Sequence, residues 1–274
     1  MSHVAGALRG VRLGEAARYF QTGANFRRPI LVARPARESN GSSGLVREFH
    51  FARNALGLLP TAQERAGRLS IKPVLTGPYT LARLSHADCA AMQPLEARVG
   101  AFAEALAGEF RALIDAGADL VQVDEPAILR FPDDWSLFLT ALRPLLDARD
   151  AARKAGREAK LALCVNLGDA APLYERFIQL PVDALLLDFI SSATLADCVA
   201  AAGSPVPLGL GVVDGANPQI EDAAAIARQV ERMLPKLTSG QVFLGPSCGL
   251  ENLPRDRAYA KLELLAAIRR SLGG

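Results

Sequence analysis

The chain has 274 residues, half of them hydrophobic, and a net charge of +2. It is long enough to bury a large core, and its near-neutral charge gives no global case for binding nucleic acid or a membrane surface. Its four cysteines (Cys89, Cys164, Cys198 and Cys248) lie far apart without a CxxC pair, so they do not spell a disulfide framework and point to a reducing cytoplasm.

Taken in chain order, the opening "MSHVAGALRG" lacks a signal-peptide core, and no uninterrupted apolar run anywhere reaches membrane-spanning length. "SHVAGAL" reads as a remnant strand that leads directly into a helix, "GEAARYF". "RRPILVA" is the first clear strand, followed by a polar, Gly- and Ser-rich loop, "RPARESNGSSG". "VREFHFARNALGLL" and "TAQERAGRL" are expected to be helical. Strand "IKPVL", helix "LEARVGAFAEALAGEFRALIDAG" and strand "DLVQVD" come next. Helix "WSLFLTALRPLLDARDAARKAG", strand "KLALCVN" and helix "APLYERFIQL" continue the alternation. Strand "DALLLDFI", helix "LADCVAAAG", strand "VPLGLGVVD" and helix "IEDAAAIARQVERML" follow. Strand "QVFLGP" and helix "RDRAYAKLELLAAIRRSL" close the chain.

Seven near-continuous apolar strands alternating with helices specify an α/β fold whose sheet is covered on both faces. No GxGxxG follows a strand and opens a helix, which removes support for a dinucleotide-binding sheet. "TGP", "DEP", "VNLGD", "DFIS", "VVDG" and "PSCG" place polar or small residues just past strand ends. A TIM (β/α)8 barrel gathers such ends on one mouth, where its active site lies. The barrel is one strand short, so either it is abbreviated at the N-terminus or it closes unusually.

Asp124 and Glu125 are adjacent acids at the end of a strand. Alternation sends them to opposite faces. Asp124 is expected to face the mouth and accept a hydrogen bond from a cationic substrate group such as an amine. Glu125 would brace a neighbouring loop; the competing reading has both acids capping helices or pairing with Arg130. Gly77, in "TGP", lets a ligand approach the backbone closely or simply makes a tight turn. Cys164, Asp188 and Cys248 end three different strands, and two thiolates with a carboxylate are zinc-ligand types that leave a fourth position for a thiol substrate. Spacing alone favours the plainer reading, in which Cys164 and Cys248 are small buried hydrophobes and Asp188 a lone loop acid. With three histidines in the chain, His-based chemistry has little material. The arginines Arg27, Arg28, Arg34 and Arg37 suit either a solvated face or a polyanionic ligand tail.

Read together, several stretches resemble cobalamin-independent methionine synthase. "KPVLTGPYTLARLS" is similar to that family's KPVLxGPVT stretch, and "VQVDEPAI" to its IQIDEPAL strand. "LGLGVVDGANPQIED" resembles its glycine-rich strand and the loop after it, and "GPSCGLENLPR" its last strand with a cysteine. The order matches, from about Glu15 to the end. The resemblance implies a single methionine synthase-like TIM-barrel domain over residues 1–274. It implies transfer of a methyl group from a methylfolate-type donor to homocysteine, with Asp124 holding the substrate amine and Glu125 and Gly77 nearby. The family binds Zn2+ through a His, two Cys and a Glu. Here Ala162 stands at the His place and Asp188 at the Glu place, which leaves a reduced site of Cys164, Asp188 and Cys248. The other function implied is a non-catalytic folate- or substrate-binding barrel, like the family's N-terminal half, working beside a separate catalytic or methyl-donor protein.

Overall fold

The computed structural model describes residues 1–20, 25–37, 44–57 and 69–273. Its contacts divide into two compact units. The first comprises Met1–Ala17, Phe26–Ile128 and Asp133–Ala162; the second comprises Arg18–Asn25, Leu129–Pro132 and Leu163–Gly274.

The first unit opens with a short helix α1 (Ser2–Gly6), strands β1 (Leu8–Arg18) and β2 (Asn25–Arg37), and helix α2 (Gly44–Gly57). Strand β3 (Val74–Thr76), helix α3 (Pro78–Leu84), the two-residue strand β4 (His86–Ala87) and helix α4 (Leu95–Asp115) follow. Strand β5 (Leu120–Asp124) and helix α5 (Trp135–Lys154) lead to strand β6 (Lys160–Val165), whose first half ends the unit. α4 forms because Val99, Phe102, Leu106, Phe110 and Leu113 repeat at helical spacing among alanines, and all five are fully buried. β3 and β5 run parallel with Val74 opposite Gln122, Leu75 opposite Val123 and Thr76 opposite Asp124. That register places Gly77 beside the end of β5, where its N–H donates to the Asp124 carbonyl at 2.8 Å.

The N-terminal expectations need correction. "SHVAGAL" begins as helix α1 rather than a strand, and "GEAARYF" is mostly strand β1 rather than helix. Two glycines lower helix propensity over Leu8–Arg18, and the stretch gains a hydrogen-bonded neighbour in β2. Gly10 lies against Arg34, and Gly14 against Arg28 and Ile30, so the two strands run antiparallel. β2 also pairs in parallel with β4, Ile30 opposite His86 and Leu31 opposite Ala87. The first four residues of the expected loop "RPARESNGSSG", Arg34–Arg37, continue strand β2, where pairing with β1 extends the strand; the rest of that loop and the expected helix "TAQERAGRL" fall almost wholly outside the described residues. Helix α3, which the sequence reading passed over, fills the chain after Gly77.

The second unit carries α6 (Tyr174–Phe177), β7 (Ala184–Asp188), α7 (Leu195–Ala202), β8 (Leu208–Val213), α8 (Ala223–Met233), β9 (Val242–Pro246) and α9 (Arg255–Ser271). β7, β8 and β9 are parallel neighbours, with Asp188 opposite Gly211 and Gly211 opposite Gly245. All six residues of β8 are buried, as a central strand covered on both faces requires. The expected helix "APLYERFIQL" is reduced to a 3₁₀ turn, Ala171–Leu173, and the single turn of α6. No described helix is long and apolar enough to cross a membrane.

Gly10 has φ +78°, and a Cβ there would come 2.6 Å from the Arg34 carbonyl oxygen. Gly10→Ala is expected to lower stability by roughly 1–3 kcal/mol, from a strained backbone and a crowded β1–β2 pair. Urea unfolding of the variant measures this; an unchanged midpoint would remove the constraint assigned to Gly10.

Candidate functional site

Strand parity organises the end of β5. Val121, Val123 and Glu125 share one face and are buried, whereas Gln122 and Asp124 share the other and are half-buried. Asp124 therefore stands where solvent and a ligand can reach it. Its Oδ1 accepts from Gln122 Nε2 at 2.7 Å, which orients the carboxylate. Gln122 was not singled out from the sequence, although its position two residues before Asp124 on a strand puts it on the same face.

Glu125 is fully buried. Oε1 accepts from the Tyr79 N–H at 2.9 Å and Oε2 from the Thr80 N–H at 2.7 Å. These are first-turn amides of α3, which the helix itself cannot satisfy. The Thr80 hydroxyl in turn accepts from the Ala127 N–H at 3.2 Å, tying the same turn to the chain just past Glu125. Burial pushes the Glu125 carboxyl up to about 7, against the downward pull of the Thr80 and Tyr79 hydrogen bonds and with a further upward push from Asp124. Gly77 has a specific reason: a Cβ there would overlap the Glu125 carboxyl group. Beside this turn, Tyr79 Oη donates to Asp134 Oδ2 at 2.6 Å, and Arg83 bridges the same two groups.

In the second unit, Asp188 ends β7 and is almost fully buried. Its Oδ1 accepts from the Ile190 and Ser191 N–H groups, each at 2.9 Å, and its Oδ2 from Leu167 N–H at 3.1 Å. Leu167 has φ +63°, a conformation costly for a leucine, and the Asp188 bond helps to hold it. Cys164 lies in β6 and is buried; Ala162, two residues earlier, is fully buried. Cys248 follows β9 and is half-buried, and neither cysteine is in a disulfide. Burial raises the Cys248 thiol pKa, Ser247 lowers it by a hydrogen bond, and the carboxylates of Asp188, Asp214 and Glu251 raise it further.

These positions bear on zinc. Two thiols and a carboxylate are suitable donors. However, Asp188 already spends both oxygens on backbone amides, and the acids around Cys248 favour its protonated form over the thiolate a metal needs. Among the described residues, no three His, Cys, Asp or Glu side chains are grouped so as to hold a metal ion. As arranged, the donor set does not fit zinc, and no chemical step is assigned to a metal.

Parallel strands alternating with helices, with acids, thiols and glycines just past their carboxyl ends, define a protein of the (β/α)8-barrel class. Residues 59–270 match the family model described as "Cobalamin-independent synthase, Catalytic domain". The chain belongs to the cobalamin-independent synthase family. It is 31% identical over 208 residues to the methionine synthase of Pyrococcus furiosus, covering 76% of this chain and 59% of that protein. The methionine synthase of Saccharolobus islandicus is 29% identical over 194 residues, 70% of this chain and 55% of that protein. The chain thus spans little more than half the length of these relatives. Its fold matches a B12-independent methionine synthase from Shewanella sp. W3-18-1, solved in complex with selenomethionine, at a TM-score of 0.76 and 20% identity. That match covers 99% of this chain and 80% of the other.

The raised Glu125 pKa has a definite sign. A carboxyl that binds its proton more tightly when folded contributes stability below its ordinary value of 4.5, and that stability is lost as pH rises through about 7. The loss is on the order of 3 kcal/mol at most. In Glu125→Gln this slope is expected to vanish, while stability falls by roughly 1–3 kcal/mol because an amide cannot accept from both N–H groups. Thermal melts across this pH range test both; a variant with the wild-type slope would show that another group titrates.

For zinc, equilibrium dialysis against an equimolar concentration is expected to leave well under one equivalent bound. Cys164→Ser and Cys248→Ser should not change that amount. One tightly held equivalent, lost in either variant, would restore the three-residue zinc set.

Proposed function

We propose that this chain transfers a methyl group from a methylfolate-type donor to the sulfur of homocysteine, forming methionine. Residues 1–274 would act as one methionine synthase-like domain. The observation that carries the proposal is the family match over residues 59–270, which includes Asp124, Glu125, Cys164, Asp188 and Cys248. In this reading Asp124 accepts hydrogen bonds from the homocysteine ammonium. Gln122 holds the carboxylate at the required angle, and the pairing of Thr76 with Asp124 fixes its backbone. Glu125 holds the Gly77–Thr80 turn beneath the substrate without touching it. Anchoring the amine removes orientational freedom, so the sulfur can meet the donor methyl group in line. The resemblance also assigns zinc to Cys164, Asp188 and Cys248. Asp188 there already accepts from three backbone N–H groups, and no step of the transfer is routed through a metal. Four cysteines outside any disulfide support a reducing, cytoplasmic setting.

Isothermal titration with homocysteine tests the amine site. Asp124→Asn removes a charge-assisted hydrogen bond and is expected to weaken binding by roughly 1.5–3 kcal/mol, about ten- to a hundredfold in Kd. The far-ultraviolet circular dichroism should stay at wild-type values, since Asp124 is only half-buried. Equal affinity in the two proteins would reject the role given to Asp124. Homocysteine binding without methionine formation, with a methylfolate present, would favour the binding-barrel function instead.

A further inference from the structure

Lys261 is a fully buried lysine on the C-terminal helix α9, which otherwise presents mostly exposed side chains. Its Nζ donates to Glu221 Oε2 at 2.8 Å. Glu221 reaches the other way with Oε1, which accepts from the Asp214 N–H at 2.7 Å. Asp214 is the first residue past β8, so this bond grips the backbone where the strand opens into its loop. The next residue, Gly215, donates its N–H to Ser247 Oγ at 3.2 Å. A Cβ on Gly215 would come 2.9 Å from Cys248 Sγ, so the loop backbone lies directly on the thiol. Asp214 Oδ1 closes its own turn by accepting from Ala216 N–H at 2.9 Å. A desolvated ammonium is costly unless paired, and nothing in helix packing alone calls for one at this position.

We propose that Lys261 is a positioning residue: through Glu221 it fixes the start of the Asp214 loop and thereby the cover over Cys248. The inference goes beyond the proposed methyl transfer and concerns the second unit by itself. Glu221 is the hinge of the arrangement because a carboxylate can accept from both the ammonium and the amide at once. In Glu221→Gln one end of the side chain becomes a donor, so either the Lys261 or the Asp214 bond is lost.

The test is the rate at which Cys248 of the full chain is modified by methyl methanethiosulfonate, resolved by peptide mass spectrometry. Cys198 in α7, a half-buried thiol of the same unit, is the internal control. In Lys261→Met and Glu221→Gln, Cys248 is expected to react roughly fivefold faster or more, through local opening of the loop, while Cys198 keeps its wild-type rate. General destabilisation would raise both rates together. A parallel rise, or an unchanged Cys248 rate, would overturn the proposal. If Lys261→Met does not fold, Glu221→Gln decides, because Glu221 is partly exposed and leaves the buried helix face intact. The outcome is independent of turnover: a wild-type chain that forms no methionine would defeat the proposed function while the labelling comparison still decides the role of Lys261.

Discussion

The Glu125 carboxylate is the constraint on which the first unit's candidate site depends. An ionisable group with no solvent contact is tolerated here because both oxygens meet backbone N–H groups that lack helical partners. That single side chain connects the end of β5 to the start of α3. It requires glycine at position 77, since its carboxyl group occupies the space of a Cβ. By parity it also leaves Asp124 on the opposite, half-exposed face. The two adjacent acids do not compete for one environment: one is inside, accepting from the backbone, and the other is at the surface, oriented by Gln122.

The second unit repeats the device with different residues. Asp188 at the end of β7 accepts from three backbone amides, two in the turn that follows it and one at Leu167, after β6. Glu221 accepts from the amide just past β8 and is itself held by Lys261. In a parallel α/β fold the segments leaving the strands bring unpaired N–H groups together, and a carboxylate satisfies them more strongly than a neutral acceptor. Acids at strand ends therefore have a structural use that sequence alone does not separate from ligand binding.

This ambiguity explains what was legible in the sequence. Helices α4 and α5 and strands β5 to β8 follow from hydrophobic spacing, because each buries a continuous face, and β9 follows from its apolar run although none of its residues is fully buried. The opposed facing of Asp124 and Glu125 follows from strand parity. The partners of Glu125 do not, since Tyr79 and Thr80 contribute backbone amides from 46 and 45 residues away. β1 was misread because "GEAARYF" has helix-forming residues, and its pairing with β2 outweighs local propensity. Lys261 sits in "AYAKLELL", where a lysine reads as a solvated helix residue; its burial depends on Glu221, forty residues earlier. The same limit applies to Asp188: its place in the motif suggests a metal ligand, and only its hydrogen bonds reveal an anchor.

Burial separates the two kinds of acid. Glu125 and Asp188 are buried and accept from two and three backbone amides respectively, so a ligand at either would compete with those donors for the carboxylate. Each amide left unpaired in the interior costs roughly 1–3 kcal/mol. A ligand would have to exceed that penalty and also rebuild the turn. Asp124 is half-buried, so its carboxylate is partly open to solvent. Of the acids at the strand ends, half-buried Asp124 is therefore the one left partly open to solvent, while Glu125 and Asp188 hold the turns in which they stand.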